Sequence, residues 1–392
     1  MDLQEKNKLK ILIHHPRLSY YIGGGEIIPL MQAEVLSSFG HHVEILTSRN
    51  LKFSPIFKDF CRNNPQIKLY YIELSKKDKK IYREIPGNSW KRWDRESILF
   101  GKRAIPFYLD NRNRWDVVIT HLLSDSLFIP KSFTNILHLH GVPSKTRIWD
   151  YKLLQRPYGF IAVAKFVKKG WISLYPFLKR KKIIIAYNGI QTEKFPNLHL
   201  KKNIDLLFVG RLLKNKGIET IIKSLNFLMY KKVHFNNLII VGQGPEEKNI
   251  KKQIKELNLT KKVKIIPFVT HKYLISLYNR SKIFLCPSTS KEGVLTTMLE
   301  AACCKAAIIT TNCCGMVEFA KDNINALLIK PFDTVDLARK IEILLKNEEI
   351  RNRLINNAEK MVRKYWDAQK TCKKLEAVYL KFVQNHNYDN KF

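Results

Sequence analysis

Nothing in the 392 residues approaches the ~18 consecutive apolar residues of a membrane-spanning helix. The first ten residues, Met1 to Lys10, are polar and lead straight into Ile11-Leu12-Ile13. That apolar run is too short for a signal peptide, and no small-residue cleavage site follows it, so a cytoplasmic protein is expected. Acidic residues are scarce, 34 against 69 Lys and Arg. Among them no Asp-x-Asp pair occurs, which removes the closely spaced carboxylates that hold a phosphate-bound divalent metal. The chain has no GxxxxGK[ST] loop and no GxSxG elbow, which argues against ATP or GTP hydrolysis and against a serine hydrolase. Cysteines number seven, an odd count in a long chain, so a disulfide framework is not expected. Cys303-Cys304 and Cys313-Cys314 are adjacent pairs without CxxC spacing, and read as small buried residues rather than a zinc set.

What the chain has in excess is positive charge, +35 net. That excess fits nucleic acid, anionic lipid headgroups or a phosphorylated substrate, and it fits equally a compositional bias towards Lys, Asn and Ile. No nucleic-acid recognition motif or aromatic-basic segment accompanies it, so a nucleic-acid partner is not expected. The stretch Lys165 to Lys182 mixes Lys168, Lys169, Lys179, Arg180, Lys181 and Lys182 with Phe166, Trp171, Tyr175 and Phe177. It reads either as a face for an anionic membrane, which would make the protein peripheral at the inner face, or as an ordinary helix followed by a charged turn.

Short β-branched runs alternate with longer mixed segments. Lys10 to His14 reads as a strand, followed by Gly23-Gly24-Gly25, a helix from Glu26 to Phe39 with Pro29 in its first turn, and a strand at Val43 to Thr47. Further strands are expected at 69–72, 117–120, 136–140, 159–163 and 183–186. A second cycle opens at Leu206 to Val209, with a helix from Gly217 to Leu228 and strands at 238–241, 263–266, 283–286, 307–310 and 326–329. Such βαβ alternation builds parallel sheets covered by helices. The expectation is two doubly wound α/β domains facing a cleft: an N-terminal one over 1–195, a second over 204–366, and a closing helix within 367–392 that packs back on the first. Glu193 to Asn203, with Pro196, reads as the linker, and Val335 to Asn357 as amphipathic helix. The last helix is expected over Asp367 to Val383, with Gln384 to Phe392 as a frayed tail.

Ligands of doubly wound sheets bind at the carboxyl ends of the strands, and the candidate residues fall there. Glu292 and Glu300 bracket the run Gly293 to Leu299, where Val294 to Ala302 reads as a helix. On that reading Glu292 stands at the helix N-terminus and Glu300 two turns in, roughly 12 Å away. The free N–H groups between them form an anion site suited to a diphosphate. Val209-Gly210-Arg211 to Lys216-Gly217 is a basic loop whose two cations complement a diphosphate, although a solvated surface loop has the same composition. Gly24 and Gly25 let backbone N–H groups approach a ligand. His138 and His140 share one face of a strand, and His14, His15 and His121 also lie near strand ends. A histidine there serves either a sugar hydroxyl or packing.

These pieces, in this order, resemble the retaining glycosyltransferases of the GT-B fold, family four: Gly23 to Glu26, His140-Gly141, Tyr187 to Ile190 with Phe195, Val209 to Gly217, Val241 to Pro245, Pro287-Ser288, Glu292 to Cys304, Gly315 with Glu318, Asn325-Ala326 and Trp366. The resemblance spans nearly the whole chain. It implies a metal-independent hexosyltransferase, without a cofactor, that moves a sugar from a nucleotide diphosphate sugar to a hydroxyl of a saccharide or lipid-linked acceptor. Glu292, His140, Arg211 and Lys216 would carry catalysis, with Glu292 on sugar hydroxyls and the two cations on the diphosphate. Gly24, Gly25, Val294, Leu295 and Glu300 would bind the donor, Glu300 through the ribose. Lys305-Ala306-Ala307 stands where the family often has Gly-x-Pro, Gln191 where it often has Asp, and Cys314 and Pro267 where glycine is usual. Nucleotide-sugar epimerases share the fold and remain the alternative among enzymes; a basic nucleic-acid-binding protein remains the alternative of another class.

Overall fold

The structure is a computed structural model that describes residues 8–49, 52–83, 90–143 and 145–389. The chain forms two compact units, Met1–Asn188 with Ala368–Phe392, and Gly189–Asp367. The first unit thus ends at Asn188 rather than at 195. The segment expected as a free linker belongs to the second unit, where Leu198 N–H donates to Asn279 Oδ1 (2.7 Å) and Asn279 donates to Pro196 O (3.0 Å).

The first unit holds a seven-stranded parallel sheet. Its strands are β1 (Lys10–His14), β2 (His42–Ser48), β3 (Lys68–Ile72), β4 (Val117–Thr120), β5 (Thr134–Leu139), β6 (Gly159–Ala162) and β7 (Ile183–Ile185), in the order β3-β2-β1-β4-β5-β6-β7. The second unit holds six parallel strands, β8 (Ile204–Val209), β9 (Leu238–Val241), β10 (Val263–Ile266), β11 (Ser281–Cys286), β12 (Ala307–Thr311) and β13 (Leu327–Ile329), in the order β10-β9-β8-β11-β12-β13. Both orders are the doubly wound, Rossmann-like arrangement, in which the winding reverses beside the first strand. The central strands read as near-continuous apolar runs because helices cover both their faces. Every expected strand is present, with ends shifted by one or two residues.

Helix ends depart further from expectation. The first helix is Gly24–Ser38, so it begins on the glycines and not at Glu26, and Pro29 lies inside it rather than in its first turn. The helix expected over 335–357 is two, Thr334–Lys346 and Glu348–Met361. Asn347 ends one and caps the next by accepting from Ile350 N–H.

The last helix, Ala368–Asp389, rejoins the first unit. Leu375, Tyr379, Phe382 and Val383 enter the core formed with β1, β2, β4 and β5, while Ala368 and Cys372 pack on Ile28, Met31 and Val35 of the first helix. His41 Nδ1 accepts from Leu9 N–H, so its Nε2–H faces Glu376, at 2.9 Å. Residues 384–389 are not a frayed tail: His386 is buried against Thr134 Oγ1 (2.9 Å), and Tyr158 donates to Asp389 (2.5 Å). The polar letters of that segment conceal contacts made one at a time with the sheet. Residues 390–392, and most of the polar run 1–10, lie outside the described residues.

Phe382 is fully buried, and its ring lies where a side chain on Gly159 would stand. Phe382→Ala is expected to destabilise the first unit by about 3–5 kcal/mol, the usual cost of emptying a buried phenylalanine site. Urea unfolding followed by tryptophan fluorescence measures it; a loss under 1 kcal/mol would show that the closing helix contributes little.

Candidate functional site

In the second unit the winding reverses between β8 and β11, and the loops that leave these strands carry the candidate residues. Leu213 to Gly217 turns tightly before the helix Ile218–Tyr230, and Gly217 makes the turn with φ +75°. A Cβ there would sit 2.0 Å from Pro287 O, so only glycine lets the two loops meet. They are laced together: Asn215 O accepts from Thr289 N–H (2.8 Å) and from Ser288 Oγ (3.1 Å).

This lacing brings Lys216 onto Glu292, and the two form an ion pair. Lys216 is largely enclosed, with 15% of its side chain exposed, whereas Glu292 shows 37%. The ammonium has three protons, so the pair leaves donors for an anion beside it. Arg211, half-buried one residue past Gly210, has no ion-pair partner among the described residues. The Glu292 carbonyl accepts from Gly315 N–H (3.2 Å), and a Cβ on Gly315 would come within 2.6 Å of that oxygen.

The helix expected from Val294 is Thr296–Cys303, with Leu295 at its N-cap position. Glu292 is therefore not on the helix, and Glu300 lies in its second turn, so the rise-per-residue spacing of the two carboxylates does not apply. Val294 and Leu295, both half-exposed, form the extended approach to the helix, where the first N–H groups lack intrahelical partners. Leu295 offers no side-chain cap to them. Glu300 accepts from Tyr278 OH (2.9 Å), and burial pushes its carboxyl up to about 7, against hydrogen bonds from Tyr278 and Thr296.

Two family glycine positions keep a left-handed backbone without glycine: Lys305 at φ +62° and Cys314 at φ +55°. Cys303 and Cys304 are buried as expected, and desolvation pushes both thiols up to about 12. Cys313 and Cys314 are only half-buried, because they ride on the loop that supports Glu292.

In the first unit the reversal falls between β1 and β4. Gly24 and Gly25 are exposed, and a Cβ built on either meets nothing within 4 Å. The chain's own packing therefore does not require glycine there, and the N–H groups of Gly24 and Gly25 precede the first intrahelical bonds, which run from Glu26 and Ile27 to the Gly23 carbonyl. Pro29 cannot donate to the Gly25 carbonyl, and His15 takes its place. His15 Nδ1 accepts from Arg17 N–H (3.3 Å), which leaves Nε2–H for Gly25.

His140 stands just past the end of β5, half-buried, with Nε2 2.8 Å from His121 Nδ1. Thr120 pairs with Leu137, and one step further along the same register His121 lies beside His138. His121, His138 and His140 each offer a ring nitrogen within 4.8 Å of the others, which makes them the group able to hold a metal among the described residues. Burial holds His15, His121 and His138 well below the usual imidazole range, so these rings are uncharged at neutral pH.

Beside them lies a buried charge cluster that sequence reasoning missed. Arg17 meets Glu96 (3.5 Å) and Glu26 (3.9 Å), and burial pushes Asp125 up to about 6 against the pull of Arg17. The available signal was position: Arg17 and Asp125 follow β1 and β4, the two strands at the reversal.

The lipid reading of Lys165 to Lys182 is corrected in its aromatic half. Trp171 and Tyr175 belong to the core, where Trp171 donates to Gly141 O (2.8 Å) and Tyr175 to Asp150 (2.5 Å); Phe166 and Phe177 pack against it. The exposed large side chains nearby are Ile148 (90%), Trp149 (60%) and Tyr151 (46%). No helix of the described residues is long and apolar enough to cross a membrane.

Comparisons with known proteins agree with this architecture. Residues 189–361 match the family model described as Glycosyl transferases group 1. A capsular polysaccharide biosynthesis glycosyltransferase of Staphylococcus aureus, CapM, is 27% identical over 237 residues, covering 57% of this chain and 62% of its own length. An undecaprenol-linked-glycan alpha-1,4-N-acetyl-D-galactosaminyltransferase of Campylobacter jejuni is 28% identical over 231 residues, covering 58% and 62%. The matches thus span about six-tenths of the length of these curated relatives. Among solved structures, a Rickettsia africae glycosyltransferase superposes with TM-score 0.74 at 18% identity, over 97% of this chain and 100% of its own. Anabaena HepE in complex with UDP-glucose gives 0.75 at 16%, over 95% and 99%. The chain therefore has the GT-B fold of two Rossmann-like domains, and its second unit is a domain of glycosyl transferases group 1.

Proposed function

We propose that the protein is a retaining glycosyltransferase of cell-surface glycan synthesis. It moves a sugar from a nucleotide diphosphate sugar to a hydroxyl of a saccharide or lipid-linked acceptor, with no metal on the diphosphate. The observation that carries this reading is the Lys216–Glu292 ion pair, on the loops that also carry Arg211, at the strand ends where the second sheet reverses its winding. Arg211 and Lys216 are assigned to the diphosphate, together with the backbone N–H groups around Val294 and Leu295. Glu292 is assigned to hydroxyls of the donor sugar and Glu300 to those of the ribose. In the first unit, Gly24 and Gly25 are assigned to the donor through their N–H groups and His140 to a sugar hydroxyl.

The bond from the anomeric carbon to the diphosphate oxygen breaks as the acceptor oxygen bonds to that carbon. The departing diphosphate takes the acceptor's proton on the same face, which retains the configuration. Fixed cations are suited to this step because negative charge grows on the leaving oxygen. The names of the capsular and undecaprenol-linked relatives support the choice of acceptor class.

The direct test is incubation with a panel of nucleotide sugars, with and without acceptor saccharides. Glu292→Gln and Arg211→Ala are expected to lower turnover roughly 10²–10³-fold. Exposed Lys261→Ala is the control expected to leave it unchanged. Equal activity in all three variants, or conversion of the donor with no acceptor present, would overturn the assignment.

Glu300 gives the site a pH dependence. Its folded value, about 7, lies above the ordinary 4.5. Ionising it therefore costs folding stability as pH rises through that window. The same ionisation makes it a stronger acceptor for ribose hydroxyls. Affinity for a nucleotide sugar is expected to rise between about pH 6 and 8, and to be flat in Glu300→Gln. Calorimetric titration decides it; a parallel rise in both proteins would assign the dependence to another group.

The protein is further proposed to sit on anionic membrane through Ile148, Trp149 and Tyr151. Tyr151 stacks on Phe177 (5.5 Å), which places exposed Lys179 and Arg180 close by. Cosedimentation with phosphatidylglycerol vesicles is expected, with a several-fold loss in Trp149→Ala; absence of binding at low salt would remove this placement.

A further inference from the structure

The ends of β4 and β5 hold three imidazoles in van der Waals range of one another. Ring centroids are 5.0 Å apart for His121 and His138, and 5.1 Å for His121 and His140. Two ring nitrogens of this group, His121 Nε2 and His138 Nδ1, are buried and have no hydrogen-bond partner, although His138 is 1% and His121 5% exposed. A buried polar atom left without a partner is costly, and two of them on neighbouring rings call for something to satisfy them.

The hydrogen bonds already made specify what that is. His138 Nε2 lies 2.9 Å from Tyr379 OH, on the closing helix. When that nitrogen carries the proton, Nδ1 presents a bare lone pair. A ring fixed from behind by an oxygen partner is the arrangement in which a ligating histidine is held. The backbone supplies the rest of the geometry: two strands in register present His121 and His138 side by side, and alternation adds His140 on the same face. Zn²⁺ at about 2.0–2.1 Å from each nitrogen needs them roughly 3.3 Å apart. One nitrogen of each ring lies within 4.8 Å of the others, so binding would draw the rings together around the ion.

We infer that His121, His138 and His140 form a binding site for a divalent transition metal of imidazole preference, Zn²⁺ or a similar ion, held by three protein ligands with a position left open. The ion is no part of the diphosphate clamp, whose residues lie in the second unit. It occupies a nitrogen of His140, which the proposed function assigns to a sugar hydroxyl. Resting on that reading, the ion acts as an inhibitor of transfer.

The test uses the full chain, freed of metal by a chelator and titrated with Zn²⁺ alone by calorimetry and with Co²⁺ by absorption. One ion per chain is expected, with a Co²⁺ spectrum free of thiolate charge transfer. His138→Phe and His121→Phe are each expected to lose at least tenfold in affinity. Tyr379→Phe, which keeps all three ligands and the packing of the ring, is expected to lose about tenfold through its outer position. It decides the matter if a histidine variant fails to fold by circular dichroism. Unchanged affinity in Tyr379→Phe and the histidine variants, or a thiolate spectrum from the free cysteines, would overturn the site. A separate arm measures sugar transfer: Zn²⁺ is expected to inhibit the wild type and to spare His121→Phe. Binding without inhibition would refute the link to transfer and leave the metal site standing. A protein without transferase activity would refute the proposed function and leave the binding titration readable.

Discussion

Reversal of the winding beside the first strand of each sheet is the constraint on which the chemistry depends. β1 lies between β2 and β4, and β8 between β9 and β11. The connections from the first strand therefore leave on opposite sides of the sheet from those of its other neighbour, and the loops at that point splay apart. Into those openings the chain places its least ordinary residues: two exposed glycines and a set of buried histidines in the first unit, two cations and a carboxylate in the second. A parallel sheet buried on both faces has no other place where backbone and polar side chains stay accessible without weakening the core.

Within the second unit, lacing between two loops does more than any single charge. Asn215 O holds Thr289 and Ser288, and Gly217 permits that contact. Lys216 and Glu292 are 76 positions apart in the chain and meet only because of it. A partly exposed ion pair adds little stability. What it fixes is orientation: each side chain is already held by the other, and a group held in advance loses less freedom in any contact it makes.

The fold was legible because its strands are short β-branched runs bounded by glycine and polar turns, and a period of that kind survives in the letters. Helix starts were less so. Gly24 and Gly25 look like a flexible loop, yet they are the first helical turn, since glycine at a helix start costs little when the N–H groups there have no partner to lose. Val294 and Leu295 look helical by composition, yet the helix starts only at Thr296, after a loop whose Glu292 carbonyl is held by Gly315 N–H. Aromatic residues between lysines look like a lipid face, yet Trp171 and Tyr175 turn inward, while Lys169, Lys179 and Lys182 stay exposed. Of the candidate site, the residue types and their strand ends could be read in advance. The Lys216–Glu292 pairing, the raised carboxyl of Glu300 and the Arg17–Asp125 cluster could not, because each depends on contacts between segments far apart in the chain.

The left-handed residues show what the Glu292 loop demands. Cys314 precedes Gly315, whose N–H holds the Glu292 carbonyl, and it keeps φ +55° although a side chain there costs about 1–2 kcal/mol. Lys305 keeps φ +62° at the end of the Thr296–Cys303 helix, and its side chain offsets part of the cost through an ion pair with Glu359. Replacing the usual glycine at both positions has not relaxed the backbone. The conformation is therefore imposed from outside these residues, by the close approach of Gly315 to residues 292–293 and by the Lys202 bond to the Lys305 carbonyl. At Cys314 the consequence reaches the site, because relaxing that turn would shift Gly315, whose N–H holds the Glu292 carbonyl.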